Sequence, residues 1–415
     1  MYPKKYVFFW MATALISLAL VVSLAFSRGA DEDLYRQGEV YAEIYRLIRE
    51  NYVDEDGVDP DKLLYGALKG MAEATGDDYS TYLCPEEFEA MHKATQGKYI
   101  GVGIQIRLRD DKFPEIVNSF RNSPAHKAGV KPGDIIEKAD GVLLKGLKLH
   151  EIANLISGKA GTKVRLTLIS RGETESHTLE MERAVVKFEY VTSGIIDESN
   201  KIGYARLVGF GEDASADLDE AIRTLQAGGM KGFVLDLRDN GGGLLEQAIA
   251  VSNLFIEKGV IVSTQGRTRR ATRVYDAKPA GTLLADGKIP VVVLINGNSA
   301  SASEIVAGAL QDHNRAVLFG TKSFGKNSVQ NLYKMEDGKS ALKLTVAYYF
   351  TPNNRSLVEG LVPDRKTAID IDEWHKVLDN RDKYEIGNGG KPYTGKDDTQ
   401  LAAAIEFIAG QLRGQ

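Results

Sequence analysis

A serine, a lysine and a glutamine in this chain have the right types and neighbours for acyl-transfer chemistry. Residues 298–310 read NSASASEIVAGAL, with hydroxyls at Ser299, Ser301 and Ser303. They follow IPVVVLING, an apolar run with strand character. Ser301 and Glu304 fit the S-x-x-E capping box, so one reading of Ser301 is a helix cap with Glu304 reaching back. The other reading is a nucleophile. A serine between a strand and a helix N-terminus has unpaired backbone N–H groups beside it, suited to an oxyanion. The flanking Ala300 and Ala302 leave room for another chain to approach. On these residues alone, cap and nucleophile stay open.

A nucleophilic serine needs a base. The six histidines, at 92, 126, 150, 177, 313 and 375, lie in unremarkable contexts, and no G-x-S-x-G elbow is present. His313 is nearest, in QDHNR, where a surface position at a helix end is expected. A lysine is the alternative. Lys326 lies in FGTKSFGKNSVQ, residues 319–330. An amine is a base only when neutral, which burial or a nearby positive charge favours. Gly325 would let the backbone pass close, and Phe324 would exclude water. Gln330 follows at an even spacing, on the same face of an extended segment. Its amide would orient the amine without adding a negative charge.

The same stretch contains G-x-x-x-x-G-K, the start of a phosphate-binding loop. The next residue is Asn327 rather than Ser or Thr, and an extended pattern follows where a helix should begin. Nucleotide binding is therefore disfavoured. RDNGGG, residues 238–243, is a second unusual loop. Its glycines allow close backbone approach and can aim N–H groups at an anion, although a tight turn explains them equally well. The lone Cys84 excludes an intramolecular disulfide and reads as a structural thiol. No metal-ligand spacing appears. The net charge of -5 argues against nucleic-acid binding.

These loops need a frame. From about residue 202, strand and helix patterns alternate, which predicts a largely parallel α/β sheet. Sites in such sheets form beyond the carboxyl ends of the strands, where RDNGGG and NGNSAS both fall. Residues 97–185 carry short strand patterns with turn glycines, the texture of a small β domain. Residues 31–96 and 366–415 read as helical. Near the N-terminus, Lys4 and Lys5 precede the uncharged residues 6–26. That run is long enough to span a bilayer, with the remainder exported. Its length favours a retained anchor over a cleaved signal peptide, for which Ala25-Phe26-Ser27 offers a site.

Together the motifs resemble the carboxyl-terminal processing, or tail-specific, proteases. LDLRDNGGG, NSASASEIVAGALQD, FGTKSFGKNSVQ and GLVPD occur in that family's order, and YIGVGIQI and SPAHKAGVKPGDII look like its PDZ domain. The resemblance implies a multidomain α/β protein with a crotonase/ClpP-like core and an inserted PDZ domain. The expected parts are an anchor or signal (1–30), a helical region (31–96), the PDZ domain (97–185), the protease core (186–365) and a C-terminal helical region (366–415). It implies a serine endopeptidase with a Ser-Lys dyad and no cofactor or metal. Ser301 would be the nucleophile, Lys326 the base and Gln330 its positioner. Ala302 and Gly242 would form the oxyanion hole, although relatives often have proline where Gly241 stands. Gly101, Val102 and Gly103 would hold the free carboxylate of an apolar C-terminus. Arg171 is a candidate for gating by the PDZ domain. A homodimer and an extracytoplasmic location, anchored through residues 6–26, are further expectations. The main rival is a catalytically silent tail-binding protein.

Overall fold

Strands covered on both faces read as unbroken apolar runs, and the central strands of the C-terminal half are of this kind. A computed structural model describes residues 35–414 apart from 55–57, 96–97, 110, 121–122, 188–189 and 382–397. The apolar run at 6–26 lies outside the described residues. Among those described, no helix is long and apolar enough to cross a membrane. The chain divides into two compact units between Tyr82 and Leu83.

The first unit contains helices at 35–51 and Pro60–Glu73. Asp59 caps the second, its carboxylate accepting from the Asp61 and Lys62 amides. The apolar stripe Val40, Ile44 and Leu47 on the first helix is about half exposed, at 52%, 53% and 46%. Of the residues read as helical, 35–51, Pro60–Glu73 and Pro85–Thr95 are helices, and Thr81–Leu83 is instead a short strand.

In the second unit, residues 104–182 build the β domain. Strands β1 (Ile104–Leu108), β2 (Pro114–Ser119), β3 (Ile135–Ala139), β4 (Lys163–Ile169) and β5 (Ser176–Glu182) lie in that order in an antiparallel sheet. In β4, alternation turns Val164, Leu166 and Leu168 inward. They share a core with Ile152 and Ile156, one turn apart on α1 (Leu149–Ile156). Arg183 donates to the carbonyls of Ile156 and Lys163, which fastens the end of α1 to the sheet.

The core sheet has the order β6 (Val191–Asp197), β7 (Ile202–Leu207), β8 (Gly232–Asp236), β11 (Val291–Ile295), β12 (Val317–Gly320) and β15 (Arg365–Lys366). All neighbouring pairs are parallel except β6 with β7. Helices α2 (Ala214–Ala227), α3 (Leu245–Asn253) and α4 (Ala302–Asp312) contribute to the core on one face, with Val291, Val293 and Ile295. The helix α6 (Thr399–Arg413) covers Val292 and Leu294 on the other. A second sheet joins β9 (Val260–Gly266), β10 (Arg273–Asp276), β13 (Ser328–Lys334) and β14 (Ala341–Phe350), with β9 and β13 both paired to β14.

Behind the β8 loop, Arg238 is fully buried. It forms ion pairs with Asp236 and Asp398, each at 2.7 Å. Burial works against its charge, but the two carboxylates outweigh it and hold the guanidinium well above its usual value. Gln400 accepts from Arg238 as well, and the Trp374 ring lies 4.9 Å beneath the guanidinium. Trp374 belongs to α5 (Ile371–Arg381). The C-terminal helices are thus locked to the loop after β8. Removing one partner strands a buried charge. Asp398→Ala is expected to lower stability by about 3–5 kcal/mol in urea unfolding.

Candidate active site

The three alternating serines have different surroundings. Ser299 and Ser303 are fully buried. Ser299 Oγ donates to the Leu237 carbonyl at 2.8 Å, and Ser303 Oγ to the Asn240 carbonyl at 2.7 Å. They fasten the first turn of α4 and the loop before it to residues 237–240. Ser301 is only half-buried and lines a cleft of about 1180 Å³. Its backbone has φ 56° and ψ -114°, a region costly for a residue with a side chain. No side-chain hydrogen bond caps the helix from Ser301. The capping box therefore closes by half: Glu304 accepts from the Ser301 amide at 2.8 Å, while the serine hydroxyl caps nothing.

Glu304 does more than reach back. Its side chain is buried in the first turn of α4. Besides the Ser301 amide, it accepts from the Gly325 amide at 2.7 Å, the Lys326 amide at 3.0 Å and Ser323 Oγ at 2.6 Å. Burial pushes its carboxyl above the usual range, and these four donors pull against that shift. Tyr349 Oη stands 3.5 Å away. One carboxylate therefore ties the backbone of Ser301 to the backbone of Lys326.

Lys326 and Gln330 line the same cleft as Ser301. Gly325 lies so close to the Val358 carbonyl that a Cβ would approach it to 2.7 Å, so the expected close passage is present. Gln330 Nε2 donates to Ser328 Oγ and Thr345 Oγ1, at 2.9 and 3.0 Å. Neither bond uses Oε1, the atom able to accept from an amine. Phe324 differs from expectation. It is 58% exposed, because the loop turns it outward while its amide binds the Ser299 carbonyl. It does not shelter the lysine. His313 also differs: it is packed rather than superficial, with Nε2 2.7 Å from the Val260 carbonyl. Burial pushes the half-buried Cys84 thiol up, in keeping with a structural thiol.

The phosphate-loop reading of 320–326 fails on two counts. A strand, β13, follows where a helix would begin. The Gly325 and Lys326 amides, which would cradle a phosphate, are given to Glu304. Among the described residues, no cluster of His, Cys, Asp or Glu could hold a metal ion.

Ala302 and Gly242 are brought together. A Cβ on Gly242 would lie 2.9 Å from the Ala302 nitrogen and 2.7 Å from the Ala300 carbonyl, and its φ is +99°. Only glycine fits there. Its amide, however, is donated to Asn240 Oδ1 at 2.9 Å, so an oxyanion would have to compete for it. Gly241 has open space where a side chain would go. The loop is held by residues that the sequence did not single out. Asp239 accepts from the side chains of Asn296 and Asn298, and the Asn240 carbonyl accepts from the Ala300 amide. The polar cluster N-G-N after a buried strand was the available signal.

The Gly101–Gly103 turn precedes β1. Val102 is fully buried, and its carbonyl accepts from the Ala125 amide. Ser123 Oγ donates to the Gly103 carbonyl at 3.2 Å. The short helix Pro124–Lys127 thus braces the turn. Arg171 packs on Gly133 and its charge acts on His375 of α5. Burial first, and then Arg171, lower the His375 pKa, with Glu115 opposing at 3.7 Å.

Residues 201–367 match the model of peptidase family S41, 116–170 a PDZ domain, and 27–87 the N-terminal domain of the activating protease CtpB. The PDZ match begins after the 101–103 turn. A carboxy-terminal-processing protease of Bartonella bacilliformis is 35% identical, covering 99% of this chain and 96% of its own. The carboxy-terminal processing protease CtpA of Bacillus subtilis is 36% identical over 83% of this chain and 72% of its own. Among solved structures, a photosystem II D1 C-terminal processing protease aligns with a TM-score of 0.59 and 27% identity. That alignment covers 85% of this chain and 98% of the other.

Glu304→Gln places an amide among donors that need an acceptor. It is expected to lower stability by about 2–4 kcal/mol in urea unfolding and to lower peptidase activity with it.

Proposed function

Because the chain belongs to the carboxy-terminal processing proteases of peptidase family S41, we propose that it is a serine endopeptidase in which Ser301 attacks and Lys326 acts as base. The observation that carries this reading is the cleft itself. Ser301, Lys326 and Gln330 share it, and Glu304 holds the backbones of Ser301 and Lys326 in one arrangement. Ser301 Oγ attacks the scissile carbonyl and gives its proton to the neutral Lys326 amine. Gln330 Oε1 accepts from that amine and orients it. The Ala302 amide, the first of α4, and the Gly242 amide receive the oxyanion. Lys326 then protonates the leaving amine. Water attacks the acyl-enzyme by the same path in reverse and releases the new C-terminus.

The PDZ domain holds the substrate's apolar C-terminus, with the 101–103 turn receiving its carboxylate. A gated resting state is favoured over a silent tail-binding protein. The bond from the Gly242 amide to Asn240 keeps the oxyanion hole occupied until a substrate displaces it. The half-exposed stripe of Val40, Ile44 and Leu47 supports self-association through the first helix. The composition of residues 6–26 supports an anchored, extracytoplasmic enzyme.

Three predictions test this reading. Ser301→Ala and Lys326→Ala should each lower cleavage of an unfolded protein with an apolar tail by at least about 10³-fold, with unfolding curves unchanged for the serine variant. Wild-type activity in either variant overturns the mechanism. Amidation of the tail should raise KM, and a chelator should leave the rate unchanged. An amidated tail cut as efficiently as the free acid removes the carboxylate from recognition.

A further inference from the structure

The cleft around Ser301 has a second wall that the chemistry above does not use. It is the turn between β9 and β10, which reads GRTRRATR over residues 266–273. Arg267, Arg269, Arg270 and Arg273 are all exposed. Arg269, Arg270 and Arg273 line the cleft together with Lys326, and among the described residues Glu246 is the only acidic one lining it. The chain as a whole carries a net charge of -5, so this clustering runs against its overall balance. Among the described residues, none of the four arginines has a carboxylate partner.

The turn is built rather than loose. Thr264 Oγ1 donates to the Ala271 carbonyl at 2.9 Å, and the Gly266 amide donates to Thr272 Oγ1 at 3.2 Å. Arg273 Nε donates to the Arg270 carbonyl at 3.0 Å. Gly266 is pressed on β14, where a Cβ would meet the Val346 carbonyl. The guanidinium groups therefore project from a fixed base.

The sheet register places the base of the turn relative to the strand that carries Gln330. Gly266 and Val329 pair with the same residue, Ala347, from opposite sides of β14. Two strand spacings, about 10 Å, separate them. Val329 lies between Lys326 and Gln330 in the chain. An extended peptide covers about 10 Å in three residues. A substrate lying along the cleft from Ser301 would therefore pass the arginine turn within a few residues of the scissile bond.

We infer that this arginine wall is a subsite for a substrate carboxylate. The inference rests on the reading of the cleft as a peptidase site. A guanidinium fork matches a carboxylate in two parallel hydrogen bonds, and unpaired arginines lose no existing ion pair on binding one. The carboxylate has two sources: an Asp or Glu side chain near the cut, or the terminal carboxylate of a short tail.

The test uses the full chain and a peptide built around a cut mapped by mass spectrometry. Glu, Gln or Lys is placed in turn at each of the four positions on either side of the cut. A separate pair ends a few residues past the cut as the free acid or the amide. Wild type should cut at least one Glu peptide with a kcat/KM about 10-fold above its Gln counterpart, and the gap should shrink at about 0.5 M salt. If the terminal carboxylate is the ligand instead, the free acid should exceed the amide by a similar factor while the Glu series stays flat. The double variant Arg269→Glu, Arg270→Glu should reverse the preference, favouring Lys or the amide. A misfolded variant would lose activity without reversing it. In that event Arg269→Gln, Arg270→Gln is used, with the acid-to-neutral ratio expected to fall toward one. Equal cutting of all peptides by wild type, or an unchanged ratio in the variants, overturns the inference and leaves the peptidase reading standing. If wild type cuts none of them and no unfolded protein, the peptidase reading falls and takes the inference with it.

Discussion

The site depends on one buried carboxylate. Glu304 accepts from Ser301 and Lys326, residues on separate loops, through their backbone amides. Backbone bonds of this kind hold chain positions without using either side chain. Burying a carboxylate is costly, and its raised pKa reflects that cost. Four donors at 2.6–3.0 Å offset it. Such a group is worth keeping where geometry matters more than stability, because the arrangement is already made when charge develops in the reaction.

A second layer fixes the opposite side of the cleft. The 238–243 loop is stitched to the loop before α4 by Ser299, Ser303 and the Ala300 amide. From behind, Arg238 joins it to Asp398 and Gln400 on the far face of the sheet. The glycines are thus held on a rigid base, although a glycine triplet alone would be loose. The strained backbone of Ser301 is tolerated because both layers over-determine it.

Much of this was legible in the sequence, for physical reasons that differ by element. VVVLI announced a strand buried on both faces, and α6 against Val292 and Leu294 is the cover it required. KVRLTLI announced a strand with one face in a core. Ser301 was ambiguous because S-x-x-E describes residue types, whereas a cap needs φ and ψ that Ser301 does not have. Phe324 was misjudged because its direction depends on the path of an irregular loop. The Asp398–Arg238 pair was invisible, since nothing local links residues so far apart in the chain. Thr81–Leu83 was missed in a helical context because three residues are too few to show a period. The arginines of 267–273 raised no signal, because exposed charges on a turn look like ordinary surface.

The charge layout of the cleft follows from what each part must do. A lysine that serves as a base has to be neutral, and an unscreened carboxylate beside it would oppose that. The lone pairs of Glu304 are directed at four donors, two of them the amides of Gly325 and Lys326. Gln330 contributes an acceptor with no net charge. The positive groups are set apart on the turn after β9, across β14 from the strand that carries Gln330. Under the proposed mechanism, recognition by charge and proton transfer by a neutral amine would share one cleft, with the arginine turn and the Gln330 strand about two strands apart.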